Sequence, residues 1–427
     1  MKNLTNVHIA LPLELDLNPS LPWHELCVAV REGNLAKITK CFHDVLPSPI
    51  LQDQMALNLG ILKGLGSNSW DDAVAEFGQR RDAKNFIFVG PMRAMERKPA
   101  SPGLLAACST PNVKYLVDLI ENNLDALGSR LFGTSLDLHG RHIEFYDIGL
   151  IEGPFRHGLG QYIALFSPFY FSGWSDTARQ INYRRSILFH NIIKIRFKNL
   201  TSPLLKKHFM VNGASSILEN ISEEQLDQSL ALWLTLHELL HGAGPIPLFG
   251  ASVKKIPLGL EYAGIEEFRV DMSVWLLLEL CKDLFGELVP ITQELILAER
   301  LLRSFRGGYW VNLSSGGILT NSDAENGLFW FSCLFQSNVV ELNDIVINID
   351  KNKIYNVLLN ILDEIYKSES NSSQVENGQE FLLELANRLR MRYFKFMEGK
   401  FVYTEHQSYF NRLISSYPTH LSFSTSF

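Results

Sequence analysis

Two histidines four residues apart, with a glutamate directly after the first, have the residue types and spacing best suited to chemistry. They are His237, Glu238 and His241 in the segment HELLH. Residues i and i+4 lie on one face of a helix, so both imidazoles can bind a single metal ion. Glu238 is rotated by about 100° from His237. That direction suits an acid/base that reaches a water molecule rather than a metal ligand. The spacing predicts a site for one zinc ion.

A second helical segment, residues 259–281, carries the remaining candidate ligand. Glu267 and Asp271 are four residues apart and therefore share a face. We predict Glu267 as the third ligand and Asp271 as the residue that holds a ligand histidine through its other ring nitrogen. Glu266 is also assigned a supporting role, as an ion pair with Arg269 or a substrate contact. The alternative is a solvated acidic first turn, which the helix dipole favours.

These residues are compatible with more than one metal and more than one class of reaction. Two histidines and one carboxylate also describe a non-haem iron site. The glutamate inside HELLH favours hydrolytic zinc, because an oxygenase has no need of it. A metal-dependent lyase, an iron oxygenase and a binding protein with a structural zinc therefore stay as alternatives to a hydrolase.

Local signals predict the helix that presents the motif. Ser222, followed by Gln225 three residues later, resembles a capping box, and glycines and Pro245 provide a stop. A helix of about twenty residues results, with HELLH in its last turn. Upstream, His142–Ile151 alternates and is rich in Ile, Phe and Tyr, which indicates a strand. Ser186–Phe197 is predicted to form either a second strand or a buried helix.

The whole pattern predicts a mainly α fold with a smaller β-containing part (α+β). Residues 367–378 are predicted to form a surface loop, and the final LSFSTSF carries no clear element. The predicted regions are a helical N-terminal region (1–130), a mixed β-containing region (131–200), a helical metal-binding lobe (201–345) and a C-terminal helical region (346–427).

Composition narrows the class of protein. The 427 residues have a net charge of −7, which gives no support for nucleic-acid binding. Five cysteines without a CxxC pair fit reduced thiols in the cytoplasm. No signal peptide and no membrane span are evident. We expect a cytoplasmic enzyme with a small peptide or amino-acid-derived substrate and no nucleic-acid or membrane partner; the oligomeric state is not assigned.

Three motifs in order resemble the dipeptidyl peptidase III family of zinc peptidases. HELLHG begins at His237, EEFRVD covers Glu266–Asp271, and DIGLIE covers Asp147–Glu152. They are similar to the family's H-E-L-L-G-H, E-E-C-R-A-E and D-x-G-x-I-E segments, and the second glutamate of E-E-C-R-A-E binds zinc. The likeness covers roughly residues 140–285. It implies zinc, a two-lobed fold with a cleft and peptidase-like hydrolysis.

The chain also departs from the family pattern. The glycine between the two histidines is absent, so the spacing is that of ordinary zincins. Gly153, Pro154 and Phe155 stand where the family has a tyrosine that polarises the carbonyl. A peptidase-like biosynthetic enzyme, acting on an amide or peptide bond of a modified amino acid or peptide, fits these differences.

Further candidates lie near the motifs. Arg303 and Arg306 could grip a substrate carboxylate, and Tyr309 could donate to an oxyanion. The alternative is that these three residues lie at an exposed helix end. His157 could face the metal from the other lobe, although lone histidines are usually structural. Residues 323–326, which include Asn326, are either a cleft loop or a helix cap.

Overall fold

The computed structural model describes residues 6–11, 15, 17, 20–79, 82–92, 101–133, 142–153, 156, 165–166, 185–243, 260–303, 322–344, 346–372, 378–397, 400–402, 417 and 420–425. The chain forms two compact units. The first contains Met1–Tyr115, Gly140–Arg196 and His420–Phe427, and the second contains Leu116–His139 and Phe197–Thr419. The elements confirm a mainly α fold with a smaller β part. None of the helices in the described part is long and apolar enough to cross a membrane.

A five-stranded sheet is the centre of the first unit, with the strand order β2-β3-β4-β6-β5. The strands are β2 (Asn85–Met92), β3 (Ser101–Ser109), β4 (His142–Glu152), β5 (Leu165–Phe166) and β6 (Arg185–Phe189). The pairings β2–β3, β3–β4 and β5–β6 are antiparallel, whereas β4 and β6 are parallel. The predicted strand at His142–Ile151 is confirmed as β4.

Residues 1–130, predicted as a helical region, contain the strands β2 and β3 as well as helices. Residues 85–90 of β2 are buried without a break, and so are residues 103–107 of β3. A strand buried on both faces shows no period-two alternation, so its sequence cannot be told from a buried helix. The segment Ser186–Phe197 contains both of its predicted alternatives, because β6 passes directly into a helix at His190.

Several helices precede, separate or follow these strands in the chain. They are α1 (Trp23–Glu32), α2 (Leu35–Val45), α3 (Pro49–Gln52), α4 (Met55–Ser67), α5 (Asp71–Gln79), α6 (Pro111–Glu121) and α8 (His190–Arg196). A further pair of strands, β1 (Asn6–Leu11) and β13 (His420–Thr425), runs parallel. The final segment therefore has a defined element that its own sequence did not indicate, because the partner strand lies at the other end of the sequence.

The second unit is built from helices with small sheets. Its helices are α7 (Leu124–Phe132), α9 (Ser202–His208), α10 (Glu223–Leu240), α11 (Leu260–Leu280), α12 (Lys282–Phe285), α13 (Leu288–Ala298), α14 (Ser322–Gln336), α15 (Lys351–Ser372) and α16 (Gly378–Tyr393), with π-helical turns at Phe197–Thr201 and Glu299–Arg303 and a 3-10 turn at Ile217–Asn220. Its strands are β7 (Phe209–Val211), β8 (Ala214–Ser215), β9 (Val340–Asn343), β10 (Val346–Ile349), β11 (Lys395–Met397) and β12 (Lys400–Val402).

Two helices of this unit carry the predicted motifs. The capping box that begins α10 is confirmed: Ser222 Oγ accepts from the Gln225 backbone N–H at 3.1 Å, and Gln225 Oε1 accepts from the Ser222 backbone N–H at 3.2 Å. Helix α11 is buried almost all round over residues 268–278. Its polar side chains there must therefore find hydrogen-bond partners inside the protein.

The C-terminal region departs from one prediction. The stretch from Lys367 was predicted to be a loop, but α15 continues to Ser372. The reason is tertiary, since Glu369 is 1% exposed and accepts a hydrogen bond from the Tyr262 hydroxyl at 2.9 Å. Residues 346–427, predicted as a helical region, contain the strands β10 to β13 as well as helices.

Candidate metal centre

The two motif histidines lie one turn apart at the end of α10. Both side chains are more than nine-tenths buried, and their rings stand almost perpendicular, at 88°. The Nε2 atoms of His237 and His241 face each other at 3.1 Å. Two ring nitrogens that converge in this way can both bind one metal ion once their protons are released.

Glu267 supplies a third donor atom at the same point. Its Oε2 lies 3.2 Å from His237 Nε2 and 3.8 Å from His241 Nε2. Ligands in a tetrahedral zinc site, at about 2.0–2.1 Å from the ion, are about 3.3 Å from one another. The three residues therefore fit a zinc ion in both chemistry and spacing.

Each histidine is oriented by a carboxylate on its other nitrogen. His237 Nδ1 donates to Asp271 Oδ1 at 2.9 Å, and His241 Nδ1 donates to Glu266 Oε1 at 3.1 Å. A proton on Nδ1 fixes the tautomer in which Nε2 is free to bind a metal. Helix α11 thus contributes one ligand and both orienting carboxylates.

Arg269 holds Glu266 in place. Its guanidinium donates to both Glu266 oxygens, at 2.7 and 2.6 Å, and to the backbone oxygens of Ala243 and Leu240. Burial alone would raise the pKa of Glu266, but the positive charge of Arg269 and the hydrogen bond from His241 lower it. Glu266 therefore stays ionised, tied both to His241 and to the end of α10.

Asp271 is the most densely bonded carboxylate of the site. It is fully buried and accepts hydrogen bonds from His237, Trp233 (3.0 Å), Arg300 (2.5 Å) and Asn326 (2.7 Å). Burial by itself would raise its pKa, but Arg300 and His237 hold it well below the usual range. Sequence reasoning missed Trp233 and Arg300; the only available signal for Arg300 was a charge within the otherwise apolar stretch LILAERLL.

The same contacts govern the charge on His237. Burial would lower its pKa, but Asp271 and Glu267 outweigh that effect and raise the pKa to about 10. Without a metal the ring carries a proton on each nitrogen near neutral pH. Metal binding must displace the Nε2 proton.

Glu238 and the number of donor atoms bear on the kind of metal site. Glu238 follows His237 directly and is 9% exposed. Among the described residues, the metal-binding group contains three donors and no fourth. The Glu267 side chain is 22% exposed, so solvent reaches this side of the group. Three protein ligands with an accessible fourth position are typical of catalytic rather than structural zinc sites.

The other candidate residues have different outcomes. His157, Arg306 and Tyr309 lie outside the described residues, as does the side chain of Arg303. Residues 323–326 lie in the first turn of α14. There Asp323 and Asn326 bond Arg300 and Asp271, whereas Glu325 forms a bidentate pair with Arg390.

The upstream motif has contacts within the first unit. Asp147 Oδ1 accepts from the backbone N–H of Asn191, at the start of α8. Glu152 is 3% exposed and pairs with Arg31 at 3.3 Å and with Arg156 at 3.1 Å. Both carboxylates thus stabilise local structure around β4.

The fold is shared with two solved structures. One is the structure of DPP III from Caldithrix abyssi, with a TM-score of 0.63 and 13% identity over 91% of this chain and 70% of that chain. The chain has a dipeptidyl peptidase III-like fold. The structure of dipeptidyl-peptidase III from Corallococcus sp. strain EGB matches with a TM-score of 0.54 and 12% identity, over 92% of this chain and 68% of that chain. No protein-family model and no curated protein sequence matches the chain. The resemblance inferred from the motifs is confirmed for the fold.

Proposed function

We propose that this chain is a zinc-dependent, peptidase-like hydrolase that cleaves an amide or peptide bond in a small substrate. The observation that carries the proposal is the convergence of His237 Nε2, His241 Nε2 and Glu267 Oε2, with Glu238 adjacent to the first ligand. The fold supports it, because both neighbouring structures bear the name of dipeptidyl peptidase III.

Each site residue has a defined role in this proposal. His237, His241 and Glu267 would hold the zinc, which when bound polarises a carbonyl and lowers the pKa of a water molecule. The Glu238 carboxylate takes a proton from the attacking water and delivers it to the leaving nitrogen. Asp271 and Glu266 keep the protons on Nδ1 of the two histidines, so that each Nε2 stays available.

The substitution Glu238→Gln tests the mechanism. Glutamine has nearly the same shape but cannot accept the proton, so we expect full zinc content and a rate lower by about 10²–10⁴-fold. Metal analysis, melting temperature and mass-spectrometric turnover of a panel of short peptides and N-acyl amino acids are measured together.

Glu224→Gln is the matched control, because Glu224 is exposed in the first turn of the same helix. It should retain the wild-type rate. Zinc-loaded Glu238→Gln with a rate within a few-fold of wild type would refute the acid/base role. Stoichiometric iron with oxygen-dependent turnover would favour the oxygenase alternative instead.

A further inference from the structure

The carboxylate that orients His237 is bonded on both of its oxygens. Asp271 Oδ1 accepts from His237 and Trp233, and Oδ2 accepts from Arg300 and Asn326. Arg300 and Asn326 are 29 and 55 residues away from Asp271 in the sequence. They are not part of α10 or α11, which carry the ligands and the orienting carboxylates.

Arg300 is placed by an irregular turn. It lies in the π-helical turn Glu299–Arg303, which directly follows α13. π-helical turns re-aim side chains and are frequent at functional sites. Arg300 is 3% exposed, donates from Nη1 to Asp323 Oδ1 at 2.9 Å, and lies over the Trp233 ring at 5.2 Å. Its guanidinium is therefore fixed from three sides.

The Asn326 side chain is buried with only one of its two polar atoms hydrogen-bonded to a described residue. It is fully buried, and its Nδ2 donates to Asp271 Oδ2 at 2.7 Å. Its Oδ1 has no hydrogen-bond partner among the described residues. A buried acceptor without a partner destabilises the folded protein, because it has lost its hydrogen bonds to water. An apolar side chain would avoid that cost, so the benefit of the amide lies in the bond to Asp271.

We propose that Arg300 and Asn326 are positioning residues for the metal centre. They hold Asp271 at the rotation that presents its Oδ1 to His237 Nδ1, and through it they fix the direction of His237 Nε2. This role rests on the proposed function in one respect, because it requires that His237, His241 and Glu267 bind a metal ion. His241 depends on Glu266 and Arg269 instead, so the two histidines have separate supports.

The test is Asn326→Leu, which keeps the size of the side chain but removes the donor. Zinc affinity is measured by chelator competition, and the ligand geometry by the visible spectrum of the cobalt-substituted protein. Loss of an outer partner of a metal ligand typically costs 10- to 100-fold in affinity. We expect a loss in that range and a shifted cobalt spectrum, with little or no fall in melting temperature.

Asn58→Leu is the matched control. Asn58 is also fully buried, and its Nδ2 donates to the Leu51 backbone oxygen at 3.0 Å; both residues belong to the first unit, which contains none of the three proposed ligands. It should leave zinc affinity and the cobalt spectrum unchanged. Arg300→Lys is the second test variant, since lysine keeps the charge but cannot reproduce the fork to Asp271 and Asp323.

The outcomes separate this inference from the proposed function. If the wild-type protein binds no zinc or cobalt at the site, the proposed function fails, and the positioning role fails with it. If the wild type binds zinc and either folded variant keeps its affinity within two-fold and its cobalt spectrum, the positioning role alone is overturned. A loss in Asn58→Leu equal to that in Asn326→Leu would also overturn it.

Discussion

At the scale of single residues, the centre pairs both carboxylates that orient the histidines with an arginine. Asp271 meets Arg300, and Glu266 meets Arg269. Removing one member of a buried ion pair strongly destabilises a protein, because the other charge is left uncompensated. A substitution at these residues must therefore affect stability as well as metal binding.

Comparison of Glu267→Ala with Glu266→Ala separates these roles. Glu267→Ala removes a ligand whose side chain is partly exposed and contacts His237. We expect zinc affinity to fall by more than the roughly 10- to 100-fold that loss of an outer partner costs, and the metal-free melting temperature to fall less than in Glu266→Ala. Glu266→Ala leaves Arg269 with less compensation. Its expected cost is about 3 kcal/mol of unfolding free energy, with zinc affinity about 10- to 100-fold lower. Equal zinc affinities, or the reverse order, would move the third ligand away from Glu267.

At the scale of elements, two helices with the same spacing build the centre. His237 and His241 are four residues apart on α10, and Glu267 and Asp271 are four residues apart on α11. Each pair therefore faces one direction, and the packing of the two helices brings the pairs together. Helix α14 contributes Asn326 from its first turn. The distance between α14 and α11 therefore determines whether Asn326 can hydrogen-bond Asp271.

Gly264 sets how closely α14 approaches α11. A Cβ at Gly264 would lie 2.6 Å from the Cβ of Glu325, whose carboxylate is fixed by Arg390. We expect Gly264→Ala to cost about 1–3 kcal/mol of unfolding free energy by overpacking, and to weaken zinc binding because Asn326 moves with Glu325.

Gly66→Ala provides the comparison for this prediction. Gly66 also lies in a helix, but a Cβ there would meet no heavy atom within 4 Å. Alanine should be neutral or stabilise the protein by about 0.5 kcal/mol, because it restricts the unfolded chain. Chemical denaturation measures both variants. A Gly264→Ala protein as stable as Gly66→Ala would show that the two helices can separate without cost.

At the scale of the whole molecule, the described ligands and their supports all belong to the second unit. The first unit contains the five-stranded sheet, and its motif residues Asp147 and Glu152 have local contacts there. Metal binding should therefore stabilise the second unit selectively, since a ligand stabilises the structure that binds it.

Hydrogen exchange with and without a chelator tests this selectivity. At a free zinc concentration about 1,000 times the dissociation constant, binding contributes about 4 kcal/mol. We expect chelation to reduce protection in Glu223–Leu240 and Leu260–Leu280, and to leave β2, β3 and β4 unchanged. Equal loss of protection in the sheet would mean that the two units unfold together.

The sequence by itself determined the features that depend on near neighbours. The capping box at Ser222, the end of α10 near His241 and the strand at His142 follow from residues a few positions apart, because helix and strand periodicity and caps are local. The spacings of the two motifs likewise predicted which side chains would share a face, and the structure brings those side chains to one point.

Only the tertiary structure decided which distant groups meet. Arg300 and Asn326 reach Asp271 across 29 and 55 residues, and β1 pairs with β13 from opposite ends of the sequence. The strands β2 and β3 were missed because burial on both faces erases the alternation that marks a strand. In each case the deciding quantity is the packing of segments that are remote in sequence, and local periodicity carries no information about it.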